Sequence, residues 1–421
     1  MHRHLTLMLL TLIATVQFFD RALMVVVMEP VKQEFGLSDA QLGLLSGLSY
    51  AVAFALAGIP LGWLADRVNR KRLLSGLLLA WSALVAACGQ SGSFLALLSM
   101  RVGIGAADAG GQPCSVSMIA DHYARQHRAG AVAVLYAGVP LGMAGGFMGG
   151  ALLAAHYGWR SGFMVAALLG ALLALLLMLL VREPVRGASD GQHQVSALPP
   201  PPLAVTLRFM RGQASLMQLF AASVLVTISS SAVMSWIGSL LIRSHGLDLP
   251  SVGLLTAICM GGFGAFGTLL FGWASDRLGA ADMRRQLHLM AALALGVTLA
   301  GCVVALAPSI IAVALALAVF AACVAGLNGP TYALSQSLVQ LRMRGLSMSV
   351  LIVLLNLIGV GVGPTLAGVL SDSFAAQFGA ASVRWAMVSL LLITLPAVLL
   401  FGRAARTVRD DLERAHASHA R

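Results

Sequence analysis

Asp20 and Arg21 stand side by side in an otherwise apolar stretch, and Arg101 and Asp108 interrupt another. A charge embedded in apolar sequence costs several kcal/mol if left without a partner, so the four must pair with one another or face water. Such charges mark ion and solute pathways, where a carboxylate exchanges a proton and an arginine holds an anion. At 100° per residue Arg101, Asp108, Gln112 and Ser115 fall within a sector of roughly 60°, one polar stripe. Gln17, Asp20, Arg21 and Met24 make a second face, and Asn328, Thr331, Tyr332, Ser335 and Gln336 a third. At about 1.5 Å per residue from the outer ends of their helices, Asp20 lies at roughly 15 Å, Arg101 at roughly 9 Å and Asp108 at roughly 20 Å. Asp20 can therefore reach Arg101, and Arg21 can reach Asp108. The expectation is proton exchange at Asp20 and Asp108, with solute contacts at Arg21, Arg101, Gln112, Tyr50, Tyr136, Asn328, Tyr332, Gln336 and Asn356. A fixed salt-bridge network that only holds the first half together is the alternative.

The elements that must position these residues are membrane spans. The chain has 421 residues, 59% hydrophobic and 10% charged, against about a quarter charged in ordinary soluble domains. A spanning helix needs about 20 mainly apolar residues, and twelve such stretches are present, near 5–30, 42–65, 73–92, 95–120, 129–154, 161–181, 214–242, 251–274, 287–306, 309–334, 347–370 and 385–402. The expected fold is all-α: an N-terminal six-helix bundle (1–181), a linker (182–213), a C-terminal six-helix bundle (214–402) and a cytoplasmic tail (403–421). Pro199 to Pro202 punctuate the linker, and Leu203 to Gly212 reads as a short amphipathic helix on the cytoplasmic surface. The first span is not a cleaved signal, because its apolar stretch continues past Asp20 and Arg21 to Met28.

The formal charge of +11 does not point to nucleic acid, because Lys and Arg alternate between loops. Arg67, Arg70, Lys71, Arg72, Arg125, Arg128, Arg284, Arg285, Arg342 and Arg344 fall on one side, and only Lys32, Arg160, Arg243 and Arg384 on the other. The positive-inside rule then sets both termini in the cytoplasm, in a bacterial inner membrane. The five cysteines lie within spans without metal-ligand spacing and read as packing residues. No metal, cofactor or nucleophile motif is expected, and the lack of a phosphate-binding loop argues against an ATP-driven pump.

The halves repeat: Gly62-Trp63-Leu64-Ala65-Asp66-Arg67 recurs as Gly272-Trp273-Ala274-Ser275-Asp276-Arg277, each after the second span of its half, so the repeat is parallel. The first copy, with Arg70 to Arg72, resembles the loop signature of the major facilitator superfamily. Asp66 is expected to meet the helix N-terminus near Ser347, and Asp276 that near Gly130. Gly62, Asp66, Arg67, Arg70, Gly272, Asp276 and Arg277 thereby form a candidate cytoplasmic gate. Glycines cluster in the fifth span, from Gly138 to Gly150, and the eleventh, from Gly359 to Gly368, which leads to an expectation of close packing between the halves. Val139 stands where the antiporter signature of drug exporters has Gly, so drug export is not inferred.

Nearly the whole chain is similar to the bacterial spinster-like branch, through Phe19-Asp20-Arg21, Glu34 to Leu45, Arg101 to Gly111, Asp121, Gly158-Trp159-Arg160 and Glu183-Pro184. Asp108 stands where the branch usually has Glu. The resemblance implies proton-coupled export or exchange of amphipathic lipids such as lysophospholipids. The Asp-Arg pair also occurs in anion:cation symporters of sugar acids and aromatic acids. The second half carries no Asp, Glu, Lys or Arg in any expected span, and a site charged on one wall and apolar on the other suits an amphipathic solute. The expectation is a monomeric, proton-driven transporter of a small amphipathic or anionic molecule; a sugar-acid symporter and a non-transporting sensor on the same fold are the alternatives.

Overall fold

The computed structural model describes residues 2–65, 67–183 and 203–417. Asp66 and Pro199 to Pro202 lie outside the described residues. The first span is α1 (His2–Val26), followed by two short helices, α2 (Met28–Phe35) and α3 (Asp39–Ser46). Gly36 ends α2 in the left-handed region at φ 63°, where a side chain would be strained. Ser38 and Gln41 then form a reciprocal capping box that starts α3. The first half continues through α4 (Leu48–Ala65), α5 (Arg70–Gly89), α6 (Phe94–Asp108), α7 (Gly111–His122), α8 (Arg125–Tyr157) and α9 (Trp159–Leu180).

The remainder consists of α10 (Leu203–Gly212), α11 (Ala214–His245), α12 (Leu249–Thr256), a π-helical turn (Ala257–Phe263) and α13 (Gly264–Ala281). Then come α14 (Met283–Leu306), α15 (Ile310–Ser337), α16 (Arg344–Val353), a second π segment (Leu354–Val360), α17 (Gly361–Phe378), α18 (Ser382–Leu392) and α19 (Thr394–Ala417). Eleven continuous stretches among the described residues are long and apolar enough to cross a membrane, the last of them Arg344–Ala415. Gly379, at φ 51°, turns that last stretch back, so it holds two crossings and the described residues hold twelve.

Two compact units result, the first Met1–Val195 with Leu241–Ala257 and the second Ser196–Leu240 with Ile258–Arg421. The C-terminal end of α11 and the start of α12, which the sequence assigns to the second half, pack in the first unit. Trp81, Phe147 and Phe163 are fully buried in the first unit, and Trp236, Phe320 and Phe401 in the second.

The clustered glycines lie on the first span of their own half, while close approach of the fifth span to the second half of the sequence comes at Gly253 of α12, where a Cβ would stand 2.5 Å from the Phe147 carbonyl oxygen, both in the first unit. Gly138, Gly142, Gly146 and Gly150 repeat every four residues along α8, and a Cβ on them would strike Thr11, Thr15, Phe19 and Leu23 of α1. A four-residue period keeps one face, so backbone meets backbone along the length of the pair, the contact that small residues permit in lipid. In the second unit Gly359 and Gly363 meet Thr227 and Ile228 of α11 in the same manner. The apolar faces of helices in lipid gain nothing by meeting each other, so close van der Waals approach is what fixes α1 on α8.

From residue 403 through Ala417 the expected tail continues α19 as helix. The buried Asp411 accepts from the Ser215 backbone N–H at 2.7 Å and its hydroxyl at 2.5 Å, placing a carboxylate at the positive end of α11. Gln213 Nε2 donates to the carbonyls of Leu338 at 3.0 Å and Asp411 at 2.9 Å.

Candidate functional site

The two charge pairs expected from helix depth are both present in the first unit. Arg101 Nη1 meets Asp20 Oδ2 at 2.9 Å, and both side chains are buried. Asp20 Oδ1 and Arg101 Nε are buried without a hydrogen-bond partner among the described residues. Arg21 pairs with Asp108, joined by the Tyr50 hydroxyl, which accepts from Arg21 and donates to the same Asp108 oxygen. The guanidinium of Arg21 also sits 4.6 Å from the Phe18 ring centroid and 4.7 Å from that of Tyr50. A cation against ring faces gains electrostatic attraction as well as contact. Gly105 sets this geometry, since a Cβ there would lie 2.5 Å from the Tyr50 carbonyl oxygen. Asp108 is one turn further along α6 on the same face, so the close approach of α4 delivers Tyr50 to it. Gln112 on α7 donates to the Tyr136 hydroxyl on α8 at 2.5 Å.

The second unit holds a cavity of about 160 Å³ between α11, α15, the second π segment and α19. Asn328 and Tyr332 line it, along with Thr227, Ser230, Ser231 and Thr331, and none of its lining residues is charged. Gln336 and Asn356 are not among them. Gln336 lies one turn past Tyr332, and its carbonyl accepts from Arg344 Nε at 3.1 Å. Asn356 sits in the π segment and donates to the Ile352 carbonyl of its own helix at 3.0 Å. Several hydroxyls are similarly engaged on backbone: Thr227 donates to the Ser223 carbonyl at 2.7 Å and Ser231 to that of Gly359 at 2.9 Å. Toward the cavity they offer lone pairs and methyl groups.

The gate residues separate. Arg67 stacks on Trp63 at 3.7 Å and Arg277 on Trp273 at 4.2 Å, so the repeated Trp and Arg, four residues apart, form the same cation–π pair in both copies. Asp276 is exposed, and nothing packs within 4 Å of where a Cβ would stand on Gly62 or Gly272. Arg70, expected in the gate, is buried, paired with Asp121, 2.9 Å from Glu183 and 2.8 Å from the Ser117 hydroxyl. Glu183 also accepts the backbone N–H groups of Arg70 and Lys71, capping α5, while Lys71 Nζ donates to the carbonyls of Met178 and Val181 at the end of α9.

Sequence reasoning missed one further cluster. Arg243 contacts Asp39 at 2.8 Å and Glu29 at 2.9 Å, Asp39 also takes Lys32 at 2.5 Å, and all four lie in the first unit. The available signal was a lone basic residue at the end of a span on the side poor in Lys and Arg. Outside the spans, hydrogen bonds from Arg160 and Trp159 hold the Glu34 carboxyl below its ordinary range.

Twelve apolar helices, an internal parallel repeat and paired charges buried within the spans define a membrane transporter. The family model described as Major Facilitator Superfamily matches residues 10–359 and again 219–419, and the chain belongs to that superfamily; it is a transporter, not an enzyme. Within it the chain resembles the spinster-like branch. A solved structure of a bacterial homolog to the human lysosomal transporter Spinster, inward-facing and unoccupied, superposes with a TM-score of 0.88 at 28% identity, covering 97% of this chain and 98% of that one. An MFS-type efflux pump of Mycolicibacterium smegmatis is 29% identical over 96% of this chain and 94% of its own length. A probable L-galactonate transporter of Escherichia coli is 25% identical over 65% of this chain and 61% of its own.

Proposed function

We propose that this chain is a proton-coupled secondary transporter working by alternating access and moving a small amphipathic or anionic organic solute, a lysolipid-like molecule being favoured. The crossed pairs Asp20–Arg101 and Arg21–Asp108 carry this reading. Protonation of Asp20 or Asp108 in one orientation frees Arg101 or Arg21 to hold an anionic headgroup, and deprotonation in the other orientation draws the arginine back and ejects the solute. The uncharged cavity of the second unit suits an apolar portion of the same molecule. Likeness to an efflux pump supports outward movement of the solute. The protein works as a monomer in the bacterial inner membrane with both termini cytoplasmic, a placement supported by the loop distribution of Lys and Arg.

A second reading, symport of a sugar acid with protons, is favoured by the hydroxyl-rich cavity lining and by the galactonate transporter among the relatives. A thermal-shift screen of purified protein against lysolipids, fatty acids, aromatic acids and sugar acids at two pH values separates the two. Stabilisation by lysolipids that Arg101→Ala loses supports the first reading, and stabilisation by sugar acids alone replaces it with the second. Flux in liposomes tests the coupling: if Asp108→Asn leaves dependence on a pH gradient intact, Asp108 has no part in it.

A further inference from the structure

Arg21 can hold a solute only by leaving Asp108, and the structure shows what makes that departure tolerable. Asp108 is buried at 6% exposure, so an arginine that moves away before the carboxyl takes up its proton strands a carboxylate in an apolar setting. Tyr50, itself buried, donates its hydroxyl to the same Asp108 oxygen that Arg21 contacts. The rings of Phe18 and Tyr50 lie under the guanidinium, and Phe54 stacks on Tyr50 at 5.9 Å between centroids. These rings give the cation a surface to slide on without losing all its contacts. The other charges near Asp108, Arg101 and Asp20, are committed to each other and cannot replace Arg21.

We propose that Tyr50 is a positioning residue that acts through Asp108: it keeps a donor on the carboxylate while Arg21 swings to the solute's anion, and so sets how readily the arginine is recruited. The inference rests on the reading of an anionic solute. It assigns Tyr50 to the exchange of Arg21 between partners, a different role from the direct solute contact expected from sequence. The bond is also made while Arg21 is in place, so only its strengthening when the arginine leaves counts, and removing the donor should weaken anion binding about tenfold, roughly 1.4 kcal/mol.

The experiment is a double-mutant cycle on the purified full chain, reading the Kd of two anionic probes, a lysophosphatidic acid and D-glucarate. Tyr50→Phe keeps the ring and loses only the hydroxyl. About tenfold weaker binding is expected for it in the native background, and no more than about twofold in an Asp108→Asn background, where no carboxylate is left to strand. Phe54→Leu disturbs the ring stack without removing a donor and should change binding by less than about twofold in both backgrounds. Equal loss from Tyr50→Phe with and without Asp108 means that the tyrosine touches solute or merely supports the fold, and overturns the proposal. If the wild type binds a probe through Arg21, as judged by Arg21→Ala, and Tyr50→Phe binds equally well, the proposal fails while the anion reading stands. If neither probe binds the wild type, the anion reading fails and this inference with it.

Discussion

Arg243→Ala should loosen the attachment of Leu241–Ala257 to the first unit. The guanidinium is close to two carboxylates, 2.8 Å from Asp39 and 2.9 Å from Glu29, with 13% of the side chain exposed. Breaking a buried pair by removing one partner typically costs about 3–5 kcal/mol. Lys32 remains on Asp39 and is itself part-exposed, so we take about 2 kcal/mol as the net loss, below that range because one partner and some solvent remain. At about 2–4 °C per kcal/mol for a unit of this size, the apparent Tm should fall by roughly 4–8 °C. The assay is fluorescence-detected unfolding in detergent at a fixed scan rate, on Arg243→Ala, Asp39→Ala and the double variant. Because the two residues share one contact, the double variant should lose clearly less than the sum of the single losses. Strict additivity, or no change in Arg243→Ala, refutes the reasoning and leaves the cluster a crowd of solvated charges. Arg243→Lys keeps the charge but cannot span both carboxylates, and should fall between wild type and alanine.

The remaining predictions concern other contacts. Gly142→Ala should impair folding in the membrane, seen as aggregated material on size exclusion, whereas Gly145→Ala, whose Cβ would meet only a Phe19 ring atom at 3.6 Å, should behave as wild type. Arg70→Ala should be more damaging than Arg72→Ala on the same thermal assay, by about 3 kcal/mol, because it strands Asp121 and leaves Glu183 only its backbone donors. Glu34 is held below its ordinary range in the folded state, so its contribution is present above the unfolded value and is lost as pH falls through the folded one. Trp159, whose indole N–H donates to Glu34 at 2.6 Å, should therefore report an acid transition below the ordinary glutamate range that Glu34→Gln abolishes, with only a small stability change because the pair is exposed.

The pairs Asp20–Arg101 and Arg21–Asp108 were legible because helix rise is regular: once spans are placed, depth follows from counting, and isolated charges at similar depth must find each other. The twelve crossings were legible for a related reason, since the bilayer requires long apolar runs that few other structures need. Arg70 was not legible. Its neighbours Lys71 and Arg72 made a basic loop the economical reading, while its partners Asp121 and Glu183 lie 51 and 113 residues away in sequence. The direction of the glycine ridge was hidden as well, because a four-residue period says that one face is small without saying which helix it meets. The π segments were hidden too, since an extra residue in a turn leaves no mark on apolar composition.

The placement of the glycines bears on how transport would use the charges. α1 carries both Asp20 and Arg21, and α8 grips it along its whole length through backbone contact at Gly138, Gly142, Gly146 and Gly150. A helix held in this way cannot slide or rotate by a fraction of a turn without collision, so Asp20 and Arg21 are fixed to their unit as rigidly as the backbone allows. What remains free to move is the arginine side chain, part-exposed and resting on aromatic rings. On the function proposed above, solute binding would then be read out by side-chain exchange at Asp108, and any larger movement would carry α1 and α8 together as one body. A substitution that loosened the ridge without unfolding the protein would separate these two properties: it should leave the Arg21–Asp108 pair intact while uncoupling solute binding from movement of the helices.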